Sequence, residues 1–279
     1  MGATVIMRGA KGHVSTDQGG RVDVAPRPLP GLVWPRLALP FELIVLLAGD
    51  LLYEVTRALA PRHQVAAFEH ARRIVMFEPS SVLSLEEWLR HVVATAPGAV
   101  QAGFSAYYAV PHLTVTATVL AWLWWRRPQH YAYARTVLFL LTITGLVVFW
   151  LYPVAPPRLA VPGAGTHLGD LLLGADPAGT GSGGGFALVN PYAAFPSLHV
   201  AWAAWCAWAV WTATGVRTRW AVWLYPVATT IVVIATANHY VIDVLGGIAV
   251  LAATVAVVAH GRGPAAATEP AEPAVCLRA

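Results

Sequence analysis

Long apolar runs alternate with short polar breaks along this chain, and six runs approach the roughly 20 residues a helix needs to cross a bilayer. They cover residues 38–58, 100–125, 133–153, 197–214, 219–236 and 239–259. The fifth and sixth are parted only by Thr236-Ala237-Asn238. The chain must reverse there, because 219–259 is too long for one crossing. Between the first two runs, residues 62–76 and 84–95 mix apolar and charged positions at helical spacing around Pro79-Ser80-Ser81. That pattern predicts short helices lying on the membrane surface. From Ala160 to Ala187 the texture changes, and the run Gly181-Ser182-Gly183-Gly184-Gly185 reads as a flexible lid or linker. The expected fold is all-α: a polar cytoplasmic tail over 1–36, a six-span helical bundle over 37–260, and a disordered tail over 261–279. The first 36 residues lack the apolar core of a cleavable signal.

Composition fits this picture. Apolar residues make up 57% of the chain and charged residues only 11%, with mean hydropathy +0.58. Soluble domains carry about a quarter charged residues, so a nucleic-acid binder and an ordinary soluble enzyme are excluded. Trp122, Trp124 and Trp125 read as an inner aromatic belt. The net charge of +4 is spread among loops and reports orientation rather than an anionic partner. With the N-terminus inside, twelve basic residues, including Arg126, Arg127, Arg135, Arg217 and Arg219, fall on the inner side. Six fall outside: Arg57, Arg62, Arg72, Arg73, Arg90 and Arg158. Both termini are therefore expected in the cytoplasm. Cys206 and Cys276, one in an apolar run and one in the tail, predict no structural disulfide.

In this topology the polar residues of three span ends meet at the outer face. The third span ends in Tyr152-Pro153-Val154-Ala155-Pro156-Pro157-Arg158. The fourth begins at Phe195-Pro196-Ser197-Leu198-His199, and the sixth at Asn238-His239-Tyr240-Val241-Ile242-Asp243. Ionisable groups at membrane depth are costly and point to function. His239 and Asp243 are four apart, one helical turn, so the carboxylate can reach an imidazole nitrogen, fix its tautomer and leave the other nitrogen reactive. Pro196 suits a first helical turn, and Ser197 with the free amides of that turn would form an anion site. His199 can donate a proton to a departing oxygen. Arg158 offers a permanent planar charge to phosphate oxygens.

Each residue alone has a plainer reading. A histidine at a span end ordinarily touches headgroups or makes a buried hydrogen bond, Ser197 alone is a helix cap, and Arg158 alone is a snorkelling arginine. Two histidines and an aspartate could also bind zinc. Their recurrence at three span ends, with an arginine and a serine beside them, favours an oxyanion over a cation. Secondary candidates are Tyr108, His112 and Asn238 as pocket residues, and Asp50, Glu54 and Arg57 as an internal ion pair in the first span. Glu78, Glu86 and Glu87 read as solvating the surface segment.

The ordered set resembles the type-2 phosphatidic acid phosphatase superfamily, whose later motifs read Pro-Ser-x-His and His-x-x-x-Asp. More specifically it is similar to the branch of inositol-phosphorylceramide synthases and their bacterial relatives. That branch has Pro-x-Ala-Pro-Pro as first motif, matching Pro153 to Pro157. Pro196 to His199 and His239 to Asp243 match the other two, and the resemblance covers about residues 65–250, including Phe77-Glu78, Tyr107-Tyr108 and His112. It implies that His239 is the nucleophile forming a phosphohistidine, Asp243 its orienting partner and His199 the general acid. Ser197 and Arg158 would hold the phosphate. No cofactor or metal is implied, and the partners are the membrane and a lipid phosphate. The wider superfamily carries a Lys where this chain has Leu151 and an Arg where it has Val233. Two phosphate-binding cations are thus missing, which points to a single phosphodiester or monophosphate rather than a diphosphate. The expected function is a lipid phosphatase or phosphotransferase at the extracytoplasmic face. The rivals are a non-catalytic lipid-binding or transport protein of the same fold and a metal-dependent membrane hydrolase.

Overall fold

A computed structural model of the chain describes residues 63–161, 192–214 and 217–260, with isolated helical positions between 40 and 55. The described elements are α1 (Gln64–Phe77), α2 (Ser80–Ala94), α3 (Gly98–Ala109), α4 (Pro111–Arg126), α5 (Pro128–Leu151) and α6 (Pro157–Ala160), then α7 (Leu198–Ala213), a 3₁₀ turn (Arg217–Trp223), α8 (Leu224–Ala235) and α9 (Val241–His260). Among the described residues the one β feature is a parallel bridge between Val154 and Ala193. Proline punctuates the helix starts. Pro79 and Pro97 cap α2 and α3, and Pro111, Pro128 and Pro157 open α4, α5 and α6. Proline lacks the amide that a first-turn residue would leave unsatisfied, so it costs least there.

Two helices, Pro128–Leu151 and Val241–His260, are long and apolar enough to cross a membrane. The other expected spans come out shorter. The run 100–125 is divided at Val110-Pro111 into α3 and α4, because Pro111 cannot donate to the preceding turn. The fifth run becomes a 3₁₀ turn followed by the 12-residue α8. α7 has 16 residues, about 24 Å at 1.5 Å per residue, against a hydrocarbon core of about 30 Å. The surface segment forms two helices as expected, with α2 starting at Ser80 directly after Pro79. Asp50, Glu54 and Arg57, the 160–187 loop beyond Val161, and both tails lie outside the described residues.

α7 is the central helix. Eleven of its 16 residues are buried, and it packs against α4, α5, α8 and α9. A helix apolar on every face is stable only when surrounded. Trp205, fully buried, donates its indole N–H to the Ala134 carbonyl of α5 (2.9 Å), and Trp202 donates to Thr142 (3.1 Å). A buried ion pair joins Arg135 of α5 to Glu42, whose other oxygen accepts from the Tyr131 hydroxyl (3.0 Å). Arg135 is thus neutralised inside the fold rather than free in a loop. α8 and α9 are joined by a tight turn in which Ala237 takes a left-handed conformation (φ 56°). The amides of Asn238 and His239 both donate to the Val233 carbonyl there (3.1 Å each). A β-carbon in that conformation costs on the order of 1–3 kcal/mol, which the surrounding contacts must offset.

Candidate functional site

The three motif segments are tied to each other through their main chains. Val154 and Tyr192–Ala194 exchange backbone hydrogen bonds (2.8 and 3.3 Å), joining the first motif to the approach of the second. The Arg158 amide donates to the Ala237 carbonyl (2.9 Å), joining the first to the third. The Ser197 amide donates to the Asp243 carbonyl (2.9 Å), closing the triangle. The first motif is also anchored on α1, where Ala67 accepts from the Ala155 amide (3.1 Å) and the His70 ring meets the Pro153 carbonyl (2.8 Å) while stacking on Tyr152. Gly247 permits the closest approach: a β-carbon there would overlap the Ser197 carbonyl oxygen.

Within this frame His239 and Asp243 face each other across one turn, both buried, with His239 Nδ1 3.4 Å from Asp243 Oδ2. That is longer than a well-formed hydrogen bond, and Asp243 Oδ2 also accepts from the Tyr240 amide (2.9 Å). With Nδ1 turned to the carboxylate, Nε2 is the nitrogen turned away from it. The His199 ring lies 5.9 Å from the His239 ring, tilted by 60°. Tyr108 stacks on His199 at 4.3 Å, and the edge of His112 meets it at 4.6 Å. Tyr108 and His112 therefore grip an imidazole. The cavity beside them, bordered also by Thr229 and Val233, measures about 10 Å³. That is room for one water and no headgroup.

Asn238 sits next to His239 and accepts from Arg158 Nε (3.0 Å), while its own amide donates to Thr236 Oγ1 (2.8 Å). It orients the guanidinium. Ser197 is fully buried and caps α7, its hydroxyl accepting from the Val200 amide at 3.5 Å. Pro196 differs from expectation: it precedes the cap, in a cis peptide with Phe195, rather than opening the helix. The positions of the two absent cations are accounted for. Leu151 is exposed, and Val233 packs in a buried cluster with Val200, Ile234 and Val244. Of the arginines in the region, Arg90 pairs with Glu86, and Arg135 with Glu42. Among the described residues no three His, Cys, Asp or Glu side chains are grouped to hold a metal ion.

Two carboxylates belong to this site that the sequence reading assigned to solvent. Glu78 and Glu86 are buried, and only Glu87 of the three is exposed. Glu86 accepts from the Val241 amide (2.6 Å) and Glu78 from the Ile242 amide (2.9 Å), at the start of α9. Burial pushes the Glu78 carboxyl up to about 7, against the lowering effect of the Ile242 amide, with the Glu86 and Asp243 charges adding to the rise. Burial raises Glu86 as well, while the Val241 amide and Arg90 oppose it. The helical period carried a signal for Glu86: it falls on the same face of α2 as Val82, Leu89 and Val93, with Arg90 one turn on.

With the motifs in order on one framework, comparison with known families is decisive. The model of the PAP2 superfamily matches residues 72–257. The chain belongs to the PAP2 superfamily. No curated protein and no solved structure matches it. Membership implies phosphatase or phosphotransferase chemistry on a lipid phosphate, and phosphatases of the PAP2 superfamily are typically metal-independent.

Proposed function

We propose that this PAP2 protein is a polytopic membrane enzyme that transfers or hydrolyses a phosphoryl group of a lipid, at the extracytoplasmic face, through a phosphohistidine. The observation that carries the reading is the His239–Asp243 contact through Nδ1, which leaves Nε2 as nucleophile beside the His199 ring. In the first step Nε2 attacks phosphorus, the P–O bond to the leaving alcohol breaks, and His199 gives that oxygen its proton. In the second, neutral His199 takes a proton from water or an acceptor alcohol. The freed oxygen attacks phosphorus and the N–P bond breaks. Arg158, aimed by Asn238, neutralises charge on the phosphoryl oxygens, and the start of α7 at Ser197 supplies amide donors to them.

The Pro153 to Pro157 sequence supports the inositol-phosphorylceramide synthase-like branch, hence transfer to an alcohol. The core-packed Val233 and exposed Leu151 support a donor with one phosphate. The basic asymmetry supports six crossings with both termini cytoplasmic. The test is to incubate purified protein with a panel of labelled phospholipids, with and without inositol. Label in an inositol phosphate, or in a new inositol-containing lipid where the head group is what leaves, marks a transferase, and free phosphate marks a phosphatase. No turnover of any lipid in the panel overturns the enzymatic reading in favour of lipid binding.

A further inference from the structure

Three consecutive main-chain amides at the start of α9, from Tyr240 just before the helix to Ile242 within it, each donate to a carboxylate. Tyr240 donates to Asp243 (2.9 Å), Val241 to Glu86 (2.6 Å) and Ile242 to Glu78 (2.9 Å). First-turn amides lack intrahelical acceptors and form the positive end of the helix dipole, a place where sites often receive a bound anion. Here the anions are the protein's own, so this helix start is closed to the substrate. The two glutamates come from far away in sequence. Glu78 lies between α1 and α2, and Glu86 lies within α2. Their bonds to Val241 and Ile242 are how this pair of helices reaches the turn that follows His239.

The charges are arranged to be tolerable. The Glu86 charge adds to the rise that burial imposes on Glu78, and two carboxyls that repel each other in a buried site do not both ionise readily. Glu78 Oε2 is buried with no hydrogen-bond partner, a place where burial favours the protonated carboxyl. Arg90 meets Glu86 Oε2 at 3.2 Å and balances the remaining charge. The first turn of α9 is thereby held from outside, independently of the His239–Asp243 contact within it. Displacing that turn would swing Asp243 and Tyr240 relative to the His239 ring.

We propose that Glu86 and Glu78 are positioning residues for the phosphoryl-transfer step, fixing through the Val241 and Ile242 amides the geometry in which Asp243 presents His239. This rests on the reading of His239 as nucleophile. What matters in this arrangement is the reach of an acceptor oxygen to the Val241 amide, not charge alone. Glu86→Gln keeps the length and the acceptor, Glu86→Asp keeps the charge but falls one methylene short, and Glu86→Ala loses both. The full-length protein in detergent is given a lipid or aryl phosphate carrying labelled phosphorus. The acid-labile label on His239, kcat and KM are then recorded for each variant. A misplacement on the order of 1 Å costs about 10²-fold in rate. Glu86→Ala and Glu86→Asp should therefore lose roughly 10- to 100-fold in kcat and in phosphoenzyme formation, with KM within about twofold, and Glu86→Gln should recover most of that loss. A Glu86→Asp enzyme that works while Glu86→Gln does not overturns the proposal, as does a rise in KM at unchanged kcat. Should Glu86→Ala fail to fold, the Asp and Gln pair decides alone. If wild-type protein acquires no label on His239, the phosphohistidine reading fails and this inference falls with it. Labelled wild type with unaffected Asp and Ala variants refutes the positioning role only.

Discussion

Adding one methyl group at Gly247 should separate rate from stability. A β-carbon at 247 would overlap the Ser197 carbonyl oxygen, a main-chain atom already held by the Ala201 amide at 3.0 Å. One turn earlier on the same face, the Asp243 carbonyl accepts from the Ser197 amide, so the wedge enters at the joint between the second and third motifs. The carbonyl cannot rotate away as a side chain would. Relief takes a main-chain shift on the order of 1 Å, and misplacement of that size costs about 10²-fold in rate. Overpacking costs about 1–3 kcal/mol, but replacing a helical glycine by alanine returns about 1 kcal/mol, so the net destabilisation is small. Gly145→Ala is the control, since the nearest atoms to its β-carbon belong to the Leu198 side chain, which can change rotamer where a main-chain carbonyl cannot. The expected result is a kcat reduced by about two orders of magnitude in Gly247→Ala, with a thermal midpoint in detergent within a few degrees of wild type and Gly145→Ala near normal in both. Wild-type kcat in Gly247→Ala, or a loss matched by the unfolded fraction, would refute the reasoning.

Three further outcomes are expected. Arg158→Lys loses both the planar fork and the bond to Asn238, so kcat/KM should drop about 10²–10³-fold; near-normal kinetics would show that the guanidinium does not serve the phosphate. His199→Ala should recover most of its first-step rate with an aryl phosphate whose leaving group needs no proton, since general acid help is worth about 10²–10⁴-fold. His239→Ala should stay inactive with the same substrate, and the opposite pattern would reverse the two roles. Glu78, near 4.5 in the unfolded chain and about 7 in the fold, keeps a proton on folding that the unfolded chain releases. Stability should therefore fall as pH rises between those values, by up to about 3 kcal/mol. Glu78→Gln should show a shallower slope in denaturation measured at pH 5 and pH 8, the remainder coming from Glu86, whose carboxyl burial also raises; equal slopes would show that Glu78 is ionised throughout.

How much of this could be read from the sequence depended on the range of each contact. The His239–Asp243 contact, the Ser197 cap and the neighbourhood of Tyr108 and His112 depend on spacing within a turn or two, and periodicity reports such distances directly. The all-α class followed equally from the length of the apolar runs. Contacts across the fold were invisible. Glu86 and Glu78 reach amides 155 and 164 positions away, and Arg135 finds Glu42 at a separation of 93. A helical period shows that a position is buried, not what it is buried against. Even so, a glutamate followed one turn later by an arginine on the apolar stripe of α2 is the local mark of a buried contact, here Glu86 with Arg90. The division of 100–125 into two helices was written in Pro111, and high apolarity on both sides of it masked the break.

The two helix starts at the site are used in opposite ways, and this bears on what the site can hold. Both present first-turn amides near His199 and His239. Those of α9 are consumed by Asp243, Glu86 and Glu78, while the start of α7 is capped by the neutral Ser197 hydroxyl. An anionic substrate approaching α9 would meet carboxylates, and approaching α7 it would meet dipole and hydroxyl. The position of one missing family cation is filled by the core-packed Val233 and that of the other by the exposed Leu151, so neither leaves a charged niche for a second phosphate. Arg158 reaches the site through Asn238, the residue just before His239, so nucleophile and guanidinium are set by the same turn. One helix start free of carboxylates and an arginine fixed to the turn that carries His239 support the proposed reading of a donor with a single phosphoryl group. On the proposed mechanism, the choice between water and an alcohol rests with whatever oxygen can reach His199.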